Sequence, residues 1–168
     1  MWVGGFIIAD IQDALKVIIG IATELPNSII YTEEQDTNSY NTPPWISIMP
    51  ETSSITQAWY KDNYYQQDNT SIIVTKKYDI LQPIIIHLEF VDKQELSDIV
   101  DKILIALPKR IVLREGVVDI EPQQIEFFLT KGELDPHGAV ISINILYAIR
   151  ENKEIKDKIH QVNFETKI

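Results

Sequence analysis

His87 and Glu89 stand two residues apart in the run Ile84-Ile85-Ile86-His87-Leu88-Glu89-Phe90, whose apolar density is that of a β-strand. Residues two apart on a strand share a face. The pair therefore has the makings of a general base with a carboxylate to orient it. The same spacing equally describes a half-buried strand histidine with one hydrogen-bond partner, and that plainer reading is preferred. Glu133, Asp135 and His137 form a second cluster able to contact a metal from one side. Gly132, Pro136 and Gly138 around them give the segment the composition of a turn, so turn geometry accounts for it without a metal. His160 lies in a charged stretch and is expected to be solvated. A metal-dependent nuclease needs a carboxylate pair and a lysine held on a rigid strand. The Glu-x-Lys triplets Glu151-Asn152-Lys153, Glu154-Ile155-Lys156 and Glu165-Thr166-Lys167 all follow the last expected strand.

Other chemistries are excluded more simply. The sequence has no cysteine, which removes disulfides, zinc-thiolate sites, iron–sulfur clusters and thiol nucleophiles. Its six glycines, Gly4, Gly5, Gly20, Gly116, Gly132 and Gly138, make neither a phosphate-binding loop nor a dinucleotide fingerprint. No His-Glu-x-x-His pair or Gly-x-Ser-x-Gly elbow is present. No catalytic residue, metal or cofactor is expected.

The elements that would hold any such site follow from hydropathy. Ile7, Ile8, Ile11, Leu15, Ile18, Ile19 and Ala22 recur at three- and four-residue steps, with Asp10, Asp13 and Lys16 on the other side. That pattern predicts an amphipathic helix over residues 6–24, stopped by Pro26. Ile29-Ile30-Tyr31 begins a strand, and Trp45-Ile46-Ser47-Ile48-Met49 reads as another between Pro44 and Pro50. Residues 71–78 and 83–91 read as two strands with a turn at 79–82 between them. Asp92 can cap a second helix with Glu95 three residues on. Leu96, Ile99, Val100, Ile103, Leu104 and Leu107 give that helix its apolar face, and Pro108 ends it. Residues 110–113, 117–120 and 124–130 read as strands, the first two joined through Arg114-Glu115-Gly116. Residues 139–150 form a long strand with Ile141, Ile143, Ile145, Tyr147 and Ile149 on one face.

Helix, strands, helix, strands predicts an α+β domain: a mostly antiparallel sheet with two amphipathic helices packed on one face. The domain should span residues 1–150, with residues 151–168 a charged tail or arm able to order on a partner. Residues 32–71 are too long for an ordinary connection, where ~4–6 residues is usual. This loop or hairpin excursion is polar but carries Trp59, Tyr60, Tyr64 and Tyr65, which points to packing or recognition.

Charge is uneven. Of 25 acidic and 15 basic residues, 12 acids and 4 bases lie in residues 1–92, a net of -8; the remaining 13 and 11 give -2, and the two sum to -10. Glu33, Glu34, Asp36, Glu51, Asp62 and Asp68 make much of the first segment acidic. That balance counts against a general nucleic-acid binder, which needs clustered cations; such a surface can repel DNA or dock on basic partners. The apolar positions near residue 1 are broken by Asp10 and Asp13, unlike a signal peptide, and no stretch reaches the ~18 apolar residues of a membrane span. Asn69-Thr70-Ser71 is read as a chance glycosylation sequon. The expected location is a reducing cytoplasm.

This order resembles the tail terminator (tail completion) family of long-tailed bacteriophages. The likeness covers residues 6–150. It lies in the first helix, the strand-loop-strand region with its polar excursion, and the strand-to-helix unit Ile84-Ile85-Ile86-His87-Leu88-Glu89-Phe90-Val91-Asp92-Lys93-Gln94-Glu95-Leu96. It closes on Ile141-Ser142-Ile143-Asn144-Ile145-Leu146-Tyr147. The resemblance implies a structural virion protein, not an enzyme: a homohexameric ring that caps the head-proximal end of the tail tube, stops its polymerisation and forms the head–tail joint. Implied partners are further copies of itself, the tail tube protein, the head–tail connector or neck protein, and the sheath protein where the tail contracts. DNA would pass through without specific binding. Candidate interface residues are Trp45, Trp59, Tyr60, Tyr64, Tyr65 and Tyr147, with the strand over 139–150 a candidate edge. Glu33, Glu34, Asp36, Glu51, Asp62 and Asp68 are candidates for an acidic lumen or docking surface. Other phage neck or baseplate components, and a cellular adaptor binding proteins through the acidic excursion, would use the same features.

Overall fold

The computed structural model describes the backbone of residues 4–67, 70–128 and 137–155, and within them the side chains of residues 7–58, 71–128 and 137–153. Helix α1 is Gly4–Thr23. Ile7, Ile11, Leu15 and Ile19, each four residues from the next, are at most 7% exposed and form its buried ridge. The Thr23 hydroxyl donates to the Ile19 carbonyl at 2.6 Å. Glu24 then takes the left-handed conformation (φ 59°), which ends the helix before Pro26. A 3-10 turn over Asn27–Ile29 leads into strand β1, Ile30–Tyr31.

The polar loop that follows is interrupted by a one-turn helix, α2 (Thr37–Tyr40), capped by Asp36, whose carboxylate accepts from the Ser39 amide at 3.1 Å. Strand β2 is Trp45–Pro50 and β3 is Ser54–Gln67. Strand β4 runs unbroken over 21 residues, Thr70–Phe90. Helix α3 (Lys93–Ala106) starts where the sequence places it. Asp92 is its N-cap, accepting from the Gln94 amide at 2.8 Å, and Glu95 adds negative charge to the first turn, where the helix dipole favours it. Strands β5 (Arg110–Leu113), β6 (Gly116–Phe128) and β7 (His137–Ile155) complete the chain. Gly116, at φ 149°, closes the tight β5–β6 hairpin in a region that disfavours any side chain.

The sheet order is β1-β2-β4-β7-β6-β5, with β3 also paired to β4. The β1–β2 pair is parallel; β2–β4, β3–β4, β5–β6 and β6–β7 are antiparallel. The α+β class, with a mostly antiparallel sheet and two amphipathic helices, is therefore found as read. Two expectations are corrected. Residues 79–82 are no turn: Ile80, Gln82, Ile84, Ile86, Leu88 and Phe90 keep one buried phase through them, and the Gln82 amide donates to the Glu51 carbonyl at 2.7 Å. Residues 117–120 and 124–128 belong to one strand, β6, whose register against β7 shifts between Pro122 and Gln124. That bulge keeps Ile120, Ile125 and Phe127 on a single face.

The chain divides into two compact units. The first comprises Met1–Ser53 and Gln82–Leu146. In it α1 packs against α3, β2 and β5. Ile46, Ile48, Ile84, Ile86, Leu88, Phe90, Val118, Ile120, Ile141, Ile143 and Ile145 join Leu96, Ile99, Val100 and Ile103 of α3 in one core, all at most 5% exposed. Gln12 enters this core from α1 and is satisfied there, its amide donating to the Thr32 and Ile48 carbonyls at 2.9 and 2.7 Å. The second unit comprises Ser54–Leu81 and Tyr147–Ile168. Within it β3 lies along the first part of β4 from Ser54↔Leu81 to Gln67↔Thr70, with two register shifts. Lys77 bridges from β4 to Glu151 of β7 at 3.2 Å, and Lys76 pairs with Asp79 at 2.7 Å. Among the described residues no helix is long and apolar enough to cross a membrane.

Candidate functional site

Alternation along β2 and β4 sends Ile48, Ile86 and Leu88 toward the helices. It sends Trp45, Ser47, His87 and Glu89 to the opposite face. On that opposite face a row of rings crosses the first unit. Tyr31 meets Tyr40 edge-on at 6.1 Å between centroids, Tyr40 meets Trp45 at 4.7 Å, Trp45 meets His87 at 4.8 Å, and His87 meets Phe128 at 6.2 Å. Trp45 is only 4% exposed, and its indole N–H donates to the Tyr40 carbonyl at 2.9 Å. It is the anchor of this row and offers no surface to a partner, which corrects the expectation that it lies at an interface. Phe128 reaches His87 across β7 because the residue between them is Gly138. A Cβ there would stand 3.4 Å from the Phe128 ring and 3.6 Å from the Leu88 carbonyl.

His87 and Glu89 do come together, Nε2 to Oε1 at 3.5 Å. Burial lowers the His87 pKa below its ordinary 6.5, and the adjacent carboxylate, acting in the opposite sense, offsets this only in part. Wedged between Trp45 and Phe128, the imidazole serves packing, as the plainer sequence reading had it. The sign of its contribution follows. A folded-state pKa below the unfolded value means that the unfolded chain binds the proton more readily. Stability from this group is complete above about pH 6.5 and falls as the pH drops from there through the folded-state pKa. Thermal melts of the wild type and of His87→Gln between pH 5 and 7.5 should show a steeper acid loss in the wild type. Parallel curves would mean that His87 titrates as it does in the unfolded chain.

The sheet has a second noteworthy surface at β6. Strand β5 covers β6 only from Gly116 to Asp119, extended by one bond from the Ile120 amide to the Lys109 carbonyl. Beyond that point, along residues 121–128, no described strand pairs with the outer side of β6. Along it Ile125, Phe127 and Phe128 are 38%, 54% and 44% exposed. Ile125 and Phe127 face the helix side, and clefts open beside them against α3. One, of about 380 Å³, is lined by Leu104, Pro122, Ile125 and Ile141. The other, of about 250 Å³, is lined by Lys93, Leu96, Ser97, Phe127, Phe128 and His137. Nδ1 of His137 is buried here without a hydrogen-bond partner among the described residues.

The remaining candidates distribute as follows. Strand β7 lies between β4 and β6, so the expectation that it forms a free edge is corrected; at that end of the sheet the terminal strand is β5, which covers only the first part of β6. Tyr147 is half-buried in β7, and burial raises its phenol pKa. Trp59, Tyr60, Tyr64 and Tyr65 have their backbone in β3, but their side chains, and that of Asp62, lie outside the described residues, as does Asp68 entirely. Glu33, Glu34, Asp36 and Glu51 are exposed. Glu133 and Asp135 of the metal candidate, and His160, lie outside the described residues. Among those described, no three histidine or carboxylate side chains gather as a metal would require. Compared with models of known protein families and with curated proteins, the chain matches none.

Proposed function

We propose that this chain is a structural protein that works by assembly, as a subunit of a ring closing the head-proximal end of a phage tail tube. One observation carries the reading: along residues 121–128 of β6, where no described strand pairs with the outer side, Ile125, Phe127 and Phe128 are exposed. Unpaired edges of this kind recruit strands from other chains unless they are blunted by charge, shortness or a cover. This stretch is eight residues long; Glu121, Pro122 and the bulge after it blunt its beginning, while Ile125 and Phe127 keep the helix side of its second half apolar. A ring needs one surface of each subunit to meet a different surface of the next, and an edge lying beside clefts provides one of the two.

The charge distribution agrees. Exposed Glu33, Glu34, Asp36 and Glu51 lie on a chain of net charge -10; six copies carry six times that, -60. A ring so charged repels a passing phosphate backbone and holds no DNA. Its partners would be its own copies, the tube protein below and the connector or neck protein above. The test is direct imaging of concentrated protein by negative stain, alone and with purified tail tubes. Rings in the first sample and capped tube ends in the second are expected. Tubes that keep growing in the presence of the protein would count against the capping role.

A further inference from the structure

We propose that the cleft between the start of α3 and the end of β6 is a binding site for a small aromatic carboxylate, a single ring carrying one acid group. This goes beyond the assembly reading and does not depend on it, because one folded chain suffices to hold the ligand.

The walls set the ligand's body. Leu96, which is 2% exposed, and the rings of Phe127 and Phe128 line a cleft of about 250 Å³. An apolar cavity of about 150 Å³ already holds benzene, so this volume takes one ring with a small substituent and little more. Aromatic walls favour an aromatic guest through edge or offset contact of the rings. Mostly apolar walls with a few polar groups are the usual make-up of a small-molecule site.

The polar groups set the substituent. Lys93 and Ser97 also line the cleft, and at a spacing of four they stand one turn apart on the same face of α3. One offers an ammonium and the other a hydroxyl, two donors that a single carboxylate can accept from together. Among the described residues no ion pair engages Lys93 and no hydrogen bond engages the Ser97 hydroxyl. No described carboxylate lines the cleft: Asp92 turns to the Gln94 amide as the cap of α3, and Glu95 is exposed outside it. The imidazole of His137 adds a further wall, and its Nδ1 has no partner among the described residues. A buried nitrogen left so is a cost that a bound polar group relieves, once the ring turns about its Cβ–Cγ bond to present it. Residues 129–136, which join Phe128 to His137, lie outside the described residues, so the test uses the full chain.

Benzoate is the probe, titrated into dilute full-length protein and followed by the NMR signals of the histidine ring protons. The His137 signal, assigned through His137→Gln, should move saturably with a Kd of about 1 mM or tighter, as suits so small a ligand. Acetate, an acid without the ring, and benzyl alcohol, the ring without the charge, should each bind at least about tenfold more weakly. Lys93 is exposed at the start of α3, so Lys93→Met should keep the circular dichroism of the wild type. It should weaken benzoate about tenfold or more and leave benzyl alcohol unchanged; Lys93→Arg should restore most of the affinity. Ser97→Leu fills the cleft and should abolish binding of both ring compounds. A His137 signal that never moves with benzoate, acetate acting like benzoate, or undiminished benzoate binding by Lys93→Met would each overturn the assignment. The measurement is made on single chains, so its failure leaves the ring reading standing, and rings that fail to form leave the site standing.

Discussion

Ile99→Asp is expected to abolish the folded state. Ile99 is 5% exposed in the middle of α3, on the same ridge as Leu96, Val100 and Ile103, all facing the sheet core. A carboxylate there loses its hydration and finds no cation among the core residues, which are aliphatic or aromatic around it. Loss of the isoleucine adds the cost of an unfilled apolar site. Each effect is worth several kcal/mol, and their sum is comparable to the ~5–15 kcal/mol that holds a domain together. Circular dichroism at 25 °C should show the helical signal lost, with no cooperative thermal transition. A soluble variant melting within a few degrees of the wild type would contradict the register of α3.

Ile125→Lys combined with Phe127→Lys should leave the monomer folded and remove assembly. The two side chains are 38% and 54% exposed on a stretch whose outer side no described strand covers, so the lysines can extend their ammonium groups into water with little strain. Lysine on an edge strand is also a common device by which natural sheets prevent pairing with other chains. Loss of two central apolar contacts should weaken association by about a hundredfold or more, since a contact at the heart of an interface is often worth ~2 kcal/mol or more. Thermal stability should change little, because neither residue belongs to the buried core. Assembly at wild-type concentration would show that the subunits meet elsewhere.

The helices were legible because their signals are local. Ile11, Leu15 and Ile19 announce α1 by spacing alone, and Asp92 marks the start of α3 both in sequence and in its bond to Gln94. The long strands were harder. Pro83 and the polar Gln82 broke what is one strand, although the alternation Ile80, Gln82, Ile84, Ile86 continues through them. Gln82 is buried because its amide finds the Glu51 and Pro83 carbonyls, a non-local arrangement that composition does not announce. Pro122 and the two glutamines after it hid the continuity of β6 in the same way, and a bulge reconciles them with the ladder.

The site was less legible than the fold. Trp45 looked like an interface residue by type, but pairing of β2 with β4 turns it onto His87 and under Tyr40. The spacing of His87 and Glu89 correctly implied a shared face; what the sequence lacked was the flanking Trp45 and Phe128 that make the pair structural. The stretch of β6 that no described strand covers was not foreseen because coverage depends on strand order, and strand order depends on contacts between residues far apart in the chain. The exposed Phe127 and Phe128 beside Ile125 were the available signal: three large apolar residues after Pro122, where Gln123, Gln124 and Glu126 are polar.

The central claim is that copies of this chain join one another. Its most direct test is the mass of the full-length protein in solution, followed by sedimentation from dilute to concentrated samples at moderate salt. The account predicts a concentration-dependent rise to a closed oligomer, six copies in a ring. A single species with the 19.3 kDa mass of one chain at every concentration would contradict it.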